Sequence, residues 1–383
     1  AKQERIPWVV SDKRFINGMF NKVLRPMEKQ GVDFWWLDWQ QWMYDKKVDS
    51  LSNTWWINYV FFSDMERNRD TRPMLYHRWG GLGNHRYQIG FSGDAVISWK
   101  SLEFQPYFTN CASNVLYGYW SHDIGGFEST STPDVYKRWC AFGLLSTHSR
   151  LHGSTSYRVP WAYDEEAVDV VRYFAKLKAR LMPYLYRNAI ETAKTGVPMM
   201  RSMVLEFTED RNCAYLASQY MLGDSLLVAP IFNEDGIAEY YLPEGRWTSL
   251  LSGDVKEGGR WYKEKHGYLS IPLYVREGSI VAMGARDDNA VYDYADGTTF
   301  RVYALDDGCE AQTTVYDTEN REAVKAAVTH CGSRYEIQVS GGTEVKVALM
   351  HAGMPKTVSC AYEMDGDHAV IAVPKEGNVT VEF

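Results

Sequence analysis

The sequence predicts an α/β first half of the β/α-barrel kind followed by two all-β sandwich modules. Three observations carry this. Up to Thr195, short apolar runs ending in polar or aromatic residues alternate with stretches of helical periodicity. After Gly196 the texture changes to short alternating strands punctuated by Gly, Pro and Asp. Finally, 383 residues exceed the length, about 250–300, at which a single core normally stops growing.

From Lys13, residues Phe15, Ile16, Met19, Phe20, Val23, Leu24 and Met27 recur at helical spacing, with Ser11 or Asp12 as cap and Gly31 as stop. Val32 to Asp38 then reads as a buried parallel strand ending in a carboxylate. A helix is expected over Trp55 to Met65, with strands near Met74–Tyr76, Tyr87–Phe91 and Leu116–Ser121. Asp164 to Lys194 reads as one amphipathic helix kinked at Pro183. This alternation fits a β/α barrel or a doubly wound sheet, and the polar and aromatic strand ends favour the barrel, whose site gathers there. Strands are expected at Leu226–Ile231, Ile237–Leu242, Tyr268–Val275, Thr298–Ala304, Tyr335–Val339 and Val345–Met350, divided into two modules by the acidic stretch Gly284–Gly297. The expected domains are therefore 1–196, 197–285 and 286–383.

A net charge of −8 without a Lys/Arg run excludes a phosphate-neutralising nucleic-acid binder. The apolar runs fall short of the roughly 20 residues that cross a bilayer, so a soluble protein without a membrane partner is expected. Cytoplasm, periplasm and secretion stay open, as does what precedes Ala1. Six dispersed cysteines read as free thiols. Aromatic residues make up 14% of the chain, and their flat faces suit a large core or a pocket for the apolar faces of sugars.

Asp38 closes its strand beside Trp36, and Asp94 lies in Gly90-Phe91-Ser92-Gly93-Asp94, whose glycines let the backbone turn and present a carboxylate. Two such carboxylates suit acid and base work at a glycosidic bond. His148 and His152, four apart, have neither an intervening Glu nor a third ligand nearby, so no metal is implied. Gly80-Gly81-Leu82-Gly83 lacks dinucleotide-loop spacing and reads as a loop beside the site. No cofactor is implied.

Five motifs in register, Phe34-Trp35-Trp36-Leu37-Asp38, His77-Arg78, Phe91-Ser92-Gly93-Asp94, Ser121-His122-Asp123-Ile124-Gly125-Gly126-Phe127 and Arg150-Leu151-His152, resemble those of glycoside hydrolase family 31. The segments Val197–Arg201, Met221–Pro230 and Ile271–Ile280 resemble that family's barrel exit and first sandwich. The resemblance implies a retaining α-glycosidase, with an α-glucoside as leading substrate and α-xyloside, α-galactoside and transfer to a sugar acceptor open. It assigns Asp38 as nucleophile and Asp94 as general acid/base. It places Arg78, His152, Asp123, Trp36 and Phe91 around the sugar. By the family's pattern the chain begins only about one helix before the nucleophile strand. A partial (β/α)8 barrel of about strands 4 to 8 is thus expected, the remainder being either on another chain or cut away in a fragment, with instability unless the barrel is complemented. Trp39-Gln40-Gln41 and Ala95 depart from residues frequent in family α-glucosidases. A carbohydrate-binding remnant without turnover is the main rival reading; a metal- or nucleotide-dependent enzyme is a lesser one.

Overall fold

The computed structural model describes residues 6–38, 42–78 and 82–383. The Trp39-Gln40-Gln41 departure and the Gly80-Gly81 pair lie outside the described residues. Leu82 and Gly83 form a turn into the 3-10 helix Asn84–Tyr87.

The first half is a barrel segment. Strands β1 (Trp35–Leu37), β2 (Leu75–His77), β3 (Ile89–Phe91) and β4 (Tyr119–Ser121) pair in parallel in that order. The chain leaves β4 at His122 and continues as β5 (Asp123–Ile124), which pairs in parallel with β6 (Arg150–Leu151). Helices α1 (Lys13–Met19), α2 (Arg25–Lys29), α3 (Asn53–Asn68), α4 (Trp99–Asn114), α5 (Pro133–Gly143), α6 (Glu165–Arg180) and α7 (Met182–Thr195) alternate with the strands. Side-chain caps set several helix starts: Asp12 accepts from the Arg14 amide at 2.8 Å, Ser98 from Ser101 at 3.1 Å and Asp164 from Ala167 at 2.6 Å.

Three local expectations are corrected. The expected seven-residue buried strand at Val32 is three residues long, and its Trp36 is 41% exposed. The Val32 amide still bonds to the Met27 carbonyl and so belongs to the helix-ending turn, and among the described residues β1 pairs only with β2. The first helix is not continuous: Phe20–Leu24 forms a π turn before Pro26, whose missing N–H removes a rung of the α ladder. The long helix does not kink at Pro183 but breaks at Leu181, and Pro183 sits in the first turn of α7, where its missing donor is harmless.

Beyond Gly196 a six-stranded antiparallel sheet is built from 200–202, 220–222, 226–228, 246–249, 255–257 and 273–276, with a two-stranded ribbon of Ile237–Leu242 and Arg260–Lys265. The strand expected from Tyr268 starts only at Leu273, because the Tyr268 ring lies under the Lys137 and Arg138 cations at 4.1 and 4.3 Å. Two five-stranded sheets follow. Ser279–Met283 pairs with Thr299–Tyr303, so hydrogen bonding of this last sandwich begins on the near side of the division expected at 285/286.

One hydrophobic cluster runs from the barrel helices through the six-stranded sheet to the edge of the last sandwich, joining Trp139, Phe142, Phe174 and Tyr184 to Tyr220, Leu226 and Leu273 and to Tyr303. Arg138 reinforces the seam by donating to the carbonyls of His266 and Gly267, both at 2.8 Å. The last sandwich has its own core of Val, Ile and Ala around Phe300.

Candidate active site

Side chains two apart on a strand point the same way, and this alternation builds the site. Trp36 and Asp38 at the end of β1, Tyr76 and Arg78 at the end of β2, Ser121 and Asp123 across the β4–β5 junction, and Arg150 and His152 at the end of β6 are such pairs. The intervening His77 points away and is held by Asn58 and Asn84 at 3.0 Å and by the Tyr117 hydroxyl at 2.8 Å.

Arg78 is the centre of the arrangement. Its Nη2 lies 2.6 Å from Asp38 Oδ1 and its Nη1 3.1 Å from Asp94 Oδ1, so one guanidinium bridges both carboxylates. The Arg side chain is nearly buried, whereas Asp38 and Asp94 reach the surface. Its planar fork, fixed in charge, suits this bridging in a way that a lysine ammonium would not. Gly93 makes room: at φ +89° it occupies the left-handed region, and a Cβ there would lie 2.2 Å from Arg78 Nη1.

Beneath this bridge is an aromatic box. Tyr76 stacks on Phe91 at 4.8 Å, and Trp36 meets Phe91 edge-on at 5.7 Å. The Arg150 guanidinium faces the rings of Trp36, Phe91 and Tyr76 at 4.5, 4.8 and 4.9 Å and pairs with the buried carboxylate of Asp123. Burial pushes Asp123 up to about 7 against the pull of Arg150, and the nearby Asp94 adds to the rise. Its Oδ2 has no hydrogen-bond partner among the described residues. His152 stacks on Phe127 at 5.1 Å and stands edge-on to Trp36 at 5.2 Å. Burial and then the Arg150 charge lower His152 to about 4, which leaves the imidazole neutral near pH 7. The tight turn below it uses Gly125 and Gly126, both at positive φ; a Cβ at Gly126 would meet Ile97 at 2.5 Å.

All seven residues singled out in the sequence thus meet at one end of the parallel strands. They divide by depth: Asp38, Asp94, Trp36 and His152 line the opening, while Arg78, Phe91 and Asp123 are buried below it. Sequence reasoning missed Arg150, Tyr76 and Phe127. The first two were readable by parity, each standing two residues before a residue already chosen. His148 packs on Tyr76 at 5.1 Å, and among the described residues it joins no metal-ligand cluster.

The family model described as the Glycosyl hydrolases family 31 TIM-barrel domain matches residues 12–188, and that of the Glycosyl hydrolase family 31 C-terminal domain matches 196–281. The chain belongs to glycoside hydrolase family 31. A third model, Alpha-xylosidase YicI, C-terminal domain, matches 293–383. Among curated relatives, Alpha-xylosidase XylQ of Lactiplantibacillus pentosus is 41% identical over 69% of this chain and 35% of its own length. An Alpha-xylosidase of Emericella nidulans is 39% identical over 73% of this chain and 36% of its own. The family 31 chain therefore spans about a third of the length of these relatives. Among solved structures, a Flavobacterium johnsoniae GH31 dextranase complexed with glucose superposes with a TM-score of 0.87 at 21% identity, over 99% of this chain and 57% of that one. That likeness establishes the fold: a TIM-barrel-like region followed by β-sandwich domains.

Proposed function

We propose that this chain carries the reacting groups of a retaining α-glycosidase, with Asp38 as nucleophile and Asp94 as general acid/base. The observation that carries this reading is the Arg78 bridge between the two carboxylates. In the first step Asp94 protonates the departing oxygen as Asp38 bonds to the anomeric carbon, forming a glycosyl ester. The Asp38 charge is consumed as a charge appears on Asp94, so Arg78 keeps one anionic partner throughout. In the second step Asp94 takes a proton from water as the water oxygen bonds to the anomeric carbon, which breaks the ester and returns Asp38 to carboxylate. The neutral His152 and the unpartnered Asp123 Oδ2 offer hydrogen bonds to sugar hydroxyls, and Trp36 offers a flat face.

The sugar is an α-linked glucose or xylose. The family resemblance put glucose first as its commonest substrate; relatives named α-xylosidases, at 41% and 39% identity, favour xylose over those named α-glucosidases, at 28% and 29%. The test is turnover of aryl α-glucoside, α-xyloside and α-galactoside, followed by trapping with a fluorinated glycosyl fluoride and peptide mapping. Label on the Asp38 peptide and retention of configuration are expected. Label on another carboxylate, or sugar binding without turnover or label, would overturn the reading.

A further inference from the structure

We propose that the turn at His351 and the hairpin at Asp367–His368, in the last sandwich, form a binding site for one borderline divalent cation of the zinc class. The site lies outside the carboxylate centre and is argued independently of it.

The two segments are sewn together before any ion arrives. His351 follows the strand Val345–Leu349, while Asp367 and His368 lie where the strands Tyr362–Asp365 and His368–Val373 turn into each other. The Gly353 amide donates to the Asp367 carbonyl at 2.9 Å, and the His351 amide donates to His368 Nδ1 at 3.1 Å. The carboxylate of Asp367 stands between the imidazoles, with Oδ2 at 2.8 Å from His351 Nδ1 and Oδ1 at 2.9 Å from His368 Nδ1. One ligand atom from each of the three residues lies within 4.8 Å of the others. A tetrahedral zinc ion with bonds of about 2.0–2.2 Å sets its donors roughly 3.3 Å apart. Small rotations of three partly exposed side chains would close the set.

The protonation pattern points to a cation. A nitrogen that accepts from the His351 amide carries no proton, yet a carboxylate oxygen stands 2.9 Å from the same nitrogen. With a proton on Nδ1 the contact to the carboxylate is satisfied, but the His351 amide then faces another N–H. Neither tautomer satisfies both neighbours, whereas a cation held by Nδ1 and the carboxylate removes the conflict and leaves the amide to water. Two imidazoles and one carboxylate form a mixed donor set that suits zinc, cobalt or nickel and not the all-oxygen shells of calcium or magnesium.

The place gives the ion a role. His368 lines a cavity of about 580 Å³ together with Ser252, Gly253 and Arg301, and His351 lines a neighbouring one with Arg246 and Thr248. Both cavities therefore lie between the six-stranded sheet region and the last sandwich, where a bound ion would clamp the turn and hairpin that form their shared rim.

The test uses the full chain, stripped with chelator and titrated with cobalt(II), then zinc(II). One saturable equivalent is expected, with visible ligand-field absorption that zinc displaces and a raised melting temperature. His351→Asn retains a residue tolerant of the left-handed backbone that His351 adopts at φ +56°. That variant and His368→Gln should each weaken binding by about tenfold or more. A double variant that binds as well as the wild type would place the ion elsewhere among the nine histidines and overturn the proposal. Absence of saturable binding by the folded wild type would overturn it as well.

Discussion

The barrel segment and the last sandwich solve opposite problems with the same chain. In the barrel, strands of two or three residues end in charged and aromatic side chains, and His77, Arg78, His122 and Asp123 are buried. In the last sandwich, strands reach ten residues, the core is Val, Ile and Ala around Phe300, and ion pairs such as Arg321–Asp317 and Lys346–Glu363 lie at the surface. Burying a charge costs free energy unless it is paired, so the barrel end gives up stability to hold its groups ready, while the sandwich contributes apolar burial with little chemistry. The shared cluster through Trp139, Tyr184, Tyr220 and Tyr303 attaches the charged end to apolar support.

The contrast can be broken experimentally. The largest effect is expected for Asp38→Asn, which should lower turnover by about 10⁴ or more with little change in melting temperature. A comparable loss of stability would mean that the carboxylate is structural. Arg78→Lys keeps the charge but cannot bridge both carboxylates, so kcat should fall by about 10²–10³ while the fold persists; unchanged kcat would remove the bridge from the mechanism. The mirror experiment lies in the sandwich. Phe300→Ala should cost about 3–5 kcal/mol in denaturant unfolding yet leave turnover per folded molecule unaltered.

Acid should act on the barrel first. Burial lowers His122 to about 3 and His148 and His152 to about 4, all below the usual histidine value. Folded pKa values below the unfolded one mean that stability is present above about pH 6.5 and lost as pH falls toward 4. His148→Gln should flatten part of that acid limb in a plot of melting temperature against pH. A further effect has the opposite sign: Asp123, raised to about 7, contributes stability that is present below its unfolded value near 4 and lost as pH rises through 7. Asp123→Asn should therefore remove a downward slope between about pH 4 and 7, and an unaltered slope would show the carboxyl to be ionised throughout.

Much was legible in the residues alone. Periodicity located the helical stretches around 13–29, 53–68 and 165–195 but not Trp99–Asn114 or Pro133–Gly143, Gly and Pro turns located the sandwiches, and the five motifs located Asp38, Arg78, Asp94, Asp123 and His152, because these features are local and carry chemistry in a few consecutive residues. Strand length at β1 was not legible, since an apolar run reads the same whether a strand has one neighbour or two. Nor was the role of Arg150: its pairing with Asp123 beneath three rings joins residues that only the closing of the strands brings together. The same holds for the Arg78 bridge, the core shared by barrel and sandwich, and the meeting of His351 with Asp367 and His368. Sequence by itself determined the element types, their order and the family, through short-range propensity and spacing. Tertiary structure alone decided which side chains share a cavity, a charge or a core, because those contacts span tens of residues and depend on where the strands pair.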